Sequence, residues 1–441
     1  MNNTPNNKDN KRLMLDKAQG AIVGLALGDA LGTSLEFCPK DSYTPLQDIV
    51  GGGPFHLKPG QWTDDTSMML CLADSMLALG KHEARDQINR YIAWWQEGHN
   101  SVTGRCFDIG NTVSAALELY KAINEANAGS SDEQSAGNGS LMRLAPIPIF
   151  YSSFRYASQE DVVKAARLSS ITTHAEQRAV EACQIMAWLI YQILDDVDST
   201  LTKATLFKRL LNYWGKADIH DDLAAVVQGS FLTKSRKNIR GTGFVVQSLE
   251  AALWSFAHSD NFKDGVLLAA NLGEDADTTA AIYGQLAGAF YGYSQLPRSW
   301  LEKLAWQNHI KEQATLLMII PTLERLSSML SQIASMPESS WSEATYLLLY
   351  DHGCILADYH WMDFPNRALI ATDLRVPADD GNHPKRQFLE RMSYVEGFQV
   401  ITAIIRGDRF NEGLWQKFVE DGSLHVWLGR MSQFANNNDN F

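Results

Sequence analysis

Two short acidic clusters carry the densest potential chemistry in this 441-residue chain. The first, Gln61-Trp62-Thr63-Asp64-Asp65-Thr66, runs directly into the helical pattern SMMLCLADSML. The second, Gly273-Glu274-Asp275-Ala276-Asp277-Thr278-Thr279, opens a segment rich in small residues. Asp and Thr are good helix N-caps, and acids favour the positive end of a helix dipole, so one acid at each place has a purely structural explanation. Two carboxylates with neighbouring hydroxyls, repeated at two helix starts, exceed what capping requires. Carboxylate and hydroxyl oxygens are the donors that hard divalent ions prefer. The pattern suits a pair of Mg2+ ions, with Mn2+ as the alternative, held with positions open to water.

Something must hold the two clusters in place. Gly20, Gly24, Gly28 and Gly32 recur every four residues, as do Ala280, Gly284, Gly288 and Gly292 after the second cluster. Small residues at i, i+4 form a bare stripe along which helices approach closely. Interior glycine costs about 0.5–1 kcal/mol against alanine, so the stripes predict a tightly packed central pair. Further helices are expected over 67–80, 84–97, 112–126, 176–194 and 244–257. In 176–194 the apolar Ala179, Val180, Cys183, Met186, Ala187 and Ile190 share one helical face. Few segments alternate as strands do, and the expected fold class is all-α.

The chain is longer than the roughly 250–300 residues at which one core stops growing. One large domain is expected over 13–330. A polar, Pro-containing break, SQIASMPESS, leads to a separate C-terminal domain over 340–441, rich in Trp and Arg. That domain offers no pair of residues with an obvious chemical spacing. Residues 1–12, MNNTPNNKDNKR, are polar and Asn-rich and read as a disordered arm.

A net charge of −13 disfavours nucleic acid or anionic membrane as the main partner. A phosphate-bearing ligand stays open, because backbone amides and bound cations neutralise phosphates locally. Cys38, Cys71, Cys106, Cys183 and Cys354 are scattered and form no CxxC pair, so neither zinc nor a disulfide framework is indicated. The N-terminus has no apolar stretch of the signal-peptide kind, and the apolar run 21–27 is too short to span a bilayer. The expected location is the cytoplasm.

Taken in order, GAIVGLALGDALGTSLEF, QWTDDTSMML, CFDIGNTVSAAL, GNGSLMRLAPI, TTHA and NLGEDADTTAAIYGQLAGAFYG resemble the successive motifs of the ADP-ribosylglycohydrolase family. The resemblance covers roughly residues 13–330. It implies a compact all-helical fold around a binuclear Mg2+ or Mn2+ centre with Thr63, Asp64, Asp65, Asp275, Asp277 and Thr278 as ligands. It places Asp108 and Gly110 of CFDIG, Asn138, Gly139, Ser140, Met142 and Arg143 of GNGSLMR, and His174 on the substrate side. Glu36 matches an acidic position bordering the cleft, and the catalytic base is sought among Glu36, Asp64, Asp65 and Asp108. Each has a plainer explanation: a structural histidine at 174, loop glycines at 137 and 139, a helix cap at Asp108. Asp29 is read as orienting its neighbours rather than binding metal. Glu274, where relatives often have Gly or Asp, and Ala175, where many have Pro, depart from the pattern.

The activity this implies is hydrolysis of the N-glycosidic bond between ADP-ribose and a protein side chain, arginine first. Its substrate would be an ADP-ribosylated protein. Segments added to the domain suit an immunity protein whose partner is a cognate ADP-ribosyltransferase toxin. Competing readings are a catalytically inactive ADP-ribose-binding or structural protein, and a hydrolase of free ADP-ribose derivatives. Loss of the metal aspartates would mark the inactive case, and Asp64, Asp65, Asp275 and Asp277 are all present.

Overall fold

The computed structural model describes residues 7–153, 157–196 and 199–318, and beyond these 333, 336–337, 340–342, 345, 367–375, 383–392, 394–408 and 413–436. Up to residue 291 its helices are α1 (Asn7–Gly32), α2 (Asp64–Leu79), α3 (Ala84–Glu97), α4 (Asn111–Ile123), α5 (Pro146–Ser153), α6 (Gln159–Ser170) and α7 (Gln177–Leu194). They continue with α8 (Lys203–Trp214), α9 (Asp221–Val227), α10 (Ser230–Thr233), α11 (Val245–Ala257), α12 (Phe262–Ala270) and α13 (Ala276–Tyr291). Extended pairing among the described residues is limited to the isolated bridges Gly52–Leu57, Ser130–His174 and Gly137–Phe244. The fold is all-α.

The glycine stripes meet each other. A Cβ added at Gly20, Gly24, Gly28 or Gly32 would collide with the backbone of Gly288, Gly284, Ala280 and Ala276, respectively. That descending register makes α1 and α13 antiparallel and brings backbone against backbone. Antiparallel packing places the C-terminal end of α1, with Asp29, beside the N-terminal end of α13, with Asp277. Around this pair α7 is buried on almost every side: the six residues of its expected face are buried, and so are Ala182, Ile185, Trp188 and Leu189.

Local chemistry sets the helix limits. The Glu176 carboxylate accepts from the amides of Arg178 at 2.8 Å and Ala179 at 3.2 Å, starting α7 where the pattern predicts. Helix α4 ends at Ile123, short of the expected 126, because Asn124 turns left-handed (φ 59°) and donates its amide to Tyr120 O at 2.7 Å. The larger difference lies at the N-terminus. Helix α1 begins at Asn7, so residues 7–12 are helical rather than part of a disordered arm. Pro5 is the last residue that bars a helix, and extending an established one through Asn, Lys and Asp costs only tenths of a kcal/mol each. Residues 1–6 lie outside the described residues.

The chain divides into units of residues 1–318 and 319–441, a division that falls before the expected break at 331–340. The second unit has its own core, including Val400, Ile401, Ile404, Phe418, Trp427 and Met431. It also holds a buried ion pair that sequence reasoning did not anticipate. Lys385 Nζ donates to Asp421 Oδ2 and to Thr372 O, both at 2.9 Å, with the two charged side chains 1% and 0% exposed. The other Asp421 oxygen accepts from the Ser423 amide at 2.9 Å. The apolar stretch 346–361 and Cys354 lie outside the described residues. No helix among the described residues is long and apolar enough to cross a membrane.

Candidate metal centre

The N-terminal ends of α2 and α13 converge on the C-terminal end of α1. Asp29, fully buried in α1, accepts at Oδ1 from the Thr63 amide (2.8 Å) and hydroxyl (2.9 Å), and at Oδ2 from the Thr66 amide (3.0 Å) and hydroxyl (2.7 Å). It thereby caps the first turn of α2 from outside, which fits the expectation that it orients neighbours. It also does more. One carboxylate oxygen each from Asp29, Asp65 and Asp277 lie within 4.8 Å of one another, and so do one each from Glu36, Asp108 and Asp277. Asp277 belongs to both groups. The hydroxyl of Thr63 is 3.3 Å from both Asp65 Oδ2 and Asp277 Oδ2, and that of Thr278 is 3.4 Å from Asp65 Oδ2.

Electrostatics here run one way. No ion pair among the described residues involves Asp29, Glu36, Asp64, Asp65, Asp108, Asp275 or Asp277; the nearby Arg240 is spent on Glu274. Burial, and then repulsion from Asp108 and Asp277, pushes Asp64 well above the ordinary carboxylate range. Asp65 and Asp277 are raised in the same way. Glu36 is raised by burial and by Asp277, Asp108 and Asp64. Burial lifts Asp29 to about 6 against the hydrogen bonds from Thr66 and Thr63. It lifts Asp108 to about 7, partly offset by a hydrogen bond from Glu36. Asp65 Oδ1 and Glu36 Oε2 are buried with no protein partner at all. Unpaired buried carboxylates cost several kcal/mol unless a cation joins them. The all-oxygen donor set and these two orphaned oxygens fit a divalent metal.

The substrate-side expectations divide. Asp108 (φ 58°) sits at the acids, too early to cap α4, whose N-cap is the exposed Gly110. Asn138 donates from Nδ2 to Asp275 Oδ2 at 2.7 Å, tying the GNGSLMR loop to the second acidic cluster. Gly139 packs against the His174 ring. Ser140, Met142 and Arg143 turn inward instead. Ser140 Oγ accepts from Ser170 Oγ at 2.9 Å, Met142 is 3% exposed, and Arg143 is fully buried with its guanidinium 4.4 Å above the Tyr91 ring. The loop reverses after Gly139 because the Leu141 and Met142 amides both fold back onto Asn138 O.

Sequence reasoning missed the segment 240–244. Gly241 O accepts the Asp275 amide at 2.9 Å, and Gly243 O accepts the Asn138 amide at 3.1 Å, so this strip seats both. Its signal was the glycine pair in RGTGF. Glu274, the departure from the family pattern, is left-handed (φ 60°) and clamped by Arg240 through both carboxylate oxygens.

A helical domain that closes buried carboxylates around a metal-binding space is the class that fold and site define. The family model described as ADP-ribosylglycohydrolase matches residues 9–327, and the chain belongs to that family. A second model, a family of unknown function (DUF6508), matches residues 297–437. The chain is 45% identical to an ADP-ribosylarginine hydrolase, Tri1, of Pseudomonas putida (strain GB-1), over 68% of this chain and 77% of that protein. It is 42% identical to the protein of the same name from Serratia proteamaculans (strain 568), over 68% and 78%. A solved structure titled "ADP-ribosylglycohydrolase-related protein complex" superposes with a TM-score of 0.62 at 39% identity, covering 70% of this chain and 99% of that one.

Proposed function

We propose that this protein is an ADP-ribosylarginine hydrolase, cleaving the N-glycosidic bond that joins ADP-ribose to an arginine side chain. The observation that carries the reading is the set of buried carboxylates with no cationic partner, set in a chain this similar to hydrolases of that name. We assign Thr63, Asp64, Asp65, Asp275, Asp277 and Thr278 as holders of two Mg2+ ions, Mn2+ being the alternative, and add Asp29 from its place in one carboxylate group. Bound there, the ions would supply Lewis acidity and would lower the pKa of water.

The chain's own residues have distinct tasks. Asn138, fixed by Asp275, orients the loop along which the diphosphate lies. The ring of carboxylates stabilises the positive charge that builds on the ribose as the bond to nitrogen lengthens. Asp108 is only partly buried and is lifted to about 7, which suits a group that takes a proton from the attacking water near neutral pH. Water oxygen bonds to the anomeric carbon as one of its protons passes to Asp108, the carbon–nitrogen electron pair leaves with the guanidine, and the guanidine gains the proton that Asp108 took. Glu36, beside Asp108, donates a hydrogen bond that steadies the Asp108 carboxylate before the transfer.

Immunity to an ADP-ribosyltransferase toxin is the biological setting we propose, and the added unit 319–441 supports a role beyond hydrolysis alone. The test is to incubate the chain and Mg2+ with arginine-, serine- and cysteine-linked ADP-ribosyl proteins and follow free ADP-ribose by chromatography. Release from the arginine conjugate alone is expected. No release, or a preference for serine, would overturn the reading.

A further inference from the structure

Arg143 is an anomaly. It is fully buried, belongs to no ion pair among the described residues, and its Nε has no partner. Its guanidinium rests on the Tyr91 ring and touches Met68 Sδ at 3.7 Å. A buried cation with no counter-ion is expensive, and an apolar residue of similar length would fill the same space at lower cost. Its one short polar contact is from Nη2 to Thr173 Oγ1, at 2.7 Å.

That contact starts a chain of forced choices. Thr173 is fully buried, and its hydroxyl lies 2.9 Å from His174 Nδ1. A guanidinium can only donate, so Thr173 oxygen accepts from Arg143. The hydroxyl proton then has one acceptor within reach, His174 Nδ1. Were Nδ1 protonated, a buried hydroxyl donor would be left without a partner. The imidazole proton therefore sits on Nε2. Nε2 faces the GNG turn: a Cβ at Gly137 would lie 3.2 Å from it, and one at Gly139 would lie 3.0 Å from Cε1 and 3.3 Å from Nε2. The two glycines are what let the ring approach the loop.

We infer that Arg143 and Thr173 are positioning residues that fix the His174 proton on Nε2 and present that N–H at the Gly137–Gly139 turn to an oxygen of bound ADP-ribose. The ligand in this inference rests on the function proposed above; the tautomer does not. Burial, with a smaller contribution from the Arg143 charge, holds His174 down at about 3, so the ring stays an uncharged donor. In this inference Arg143 acts on the substrate through two other residues, where the sequence suggested direct contact.

The experiment uses the full chain with Mg2+. Nitrogen-15 NMR of the imidazoles, assigned with His174→Gln, should show Nε2 protonated and Nδ1 bare in the wild-type protein. Calorimetry with free ADP-ribose should show Thr173→Val binding about tenfold more weakly and Thr173→Ser within about twofold of wild type. Arg143→Met should lose a similar factor without a fall in melting temperature, which a merely structural role would not allow. A proton on Nδ1 in the wild type would overturn the inference, as would unchanged affinity in a folded Thr173→Val. If Thr173→Val does not fold, the wild-type tautomer and Arg143→Met decide. Absence of ADP-ribose binding by the wild type would overturn the functional reading and the ligand named here, while the tautomer would still be read directly.

Discussion

Two of the places where this molecule buries charge do so in opposite ways. In the second unit Lys385 and Asp421 match one cation to one anion, and the remaining Asp421 oxygen is taken by Ser423. Nothing there is left to bind. At the meeting of α1, α2 and α13, carboxylates accumulate with no ion pair to a Lys or Arg among the described residues, and two of their oxygens have no partner. The first arrangement is complete in the folded chain, while the second is completed only by something that is not protein. Buried charge by itself therefore says little about function. Its imbalance says a great deal.

Single substitutions should separate the two in opposite senses. Asp277→Ala removes the residue common to both carboxylate groups. We expect hydrolysis of an arginine-linked conjugate to fall more than about 100-fold, while the metal-free protein melts no lower than wild type because repulsion has been relieved. Near-normal turnover would break the comparison at its functional end. Asp421→Ala should do the reverse. It leaves Lys385 buried and unpaired, which costs about 3–5 kcal/mol, yet turnover per folded molecule should not change. Replacing both partners, as Lys385→Met with Asp421→Leu, should restore much of that loss; calorimetry that found the double variant as unstable as the single would show that the pair does more than neutralise itself.

The smallest effect is on pH. In the folded chain without metal, Asp29 and Asp108 are raised to about 6 and about 7, against about 3.9 for an unfolded aspartate. Between those values the folded state holds protons that the unfolded state has lost, so stability falls as pH rises from about 4 to about 7. Acidifying EDTA-treated protein from pH 7 to pH 5 should raise its melting temperature, each group contributing at most about 1.4 kcal/mol per pH unit. With Mg2+ bound the same change should lower it, because protons then compete with the ions. A metal-free protein that lost stability on acidification would show that the acids are not held against their charge.

Much of this could be read in the sequence, for a physical reason. Periodicity and capping are local, so α3 and the starts of α7 and α11 fall within a residue of expectation. The glycine stripes were legible as a close-packed pair because nothing else repays glycine every fourth residue. What escaped depended on register and loop direction. Asp29 read as a residue that orients its neighbours until the antiparallel pairing of α1 and α13 set it beside Asp277. The inward turn of Ser140, Met142 and Arg143 is decided by amides folding onto Asn138, which composition does not encode. Lys385 and Asp421 lie far apart along the chain and meet only once that unit packs.

The pairing of Gly20 with Gly288 also has a temporal consequence. The partner of the first helix is almost the last part of its unit to be made. At roughly 5–20 residues per second, α1 waits on the order of ten seconds or more after leaving the ribosome before α13 exists. Throughout that interval its glycine face has no surface to pack on, and Asp29 has no Asp277 beside it. The carboxylate set is then completed late and in a single step, when α13 brings Asp275 and Asp277, and a chain that stops short of α13 lacks it.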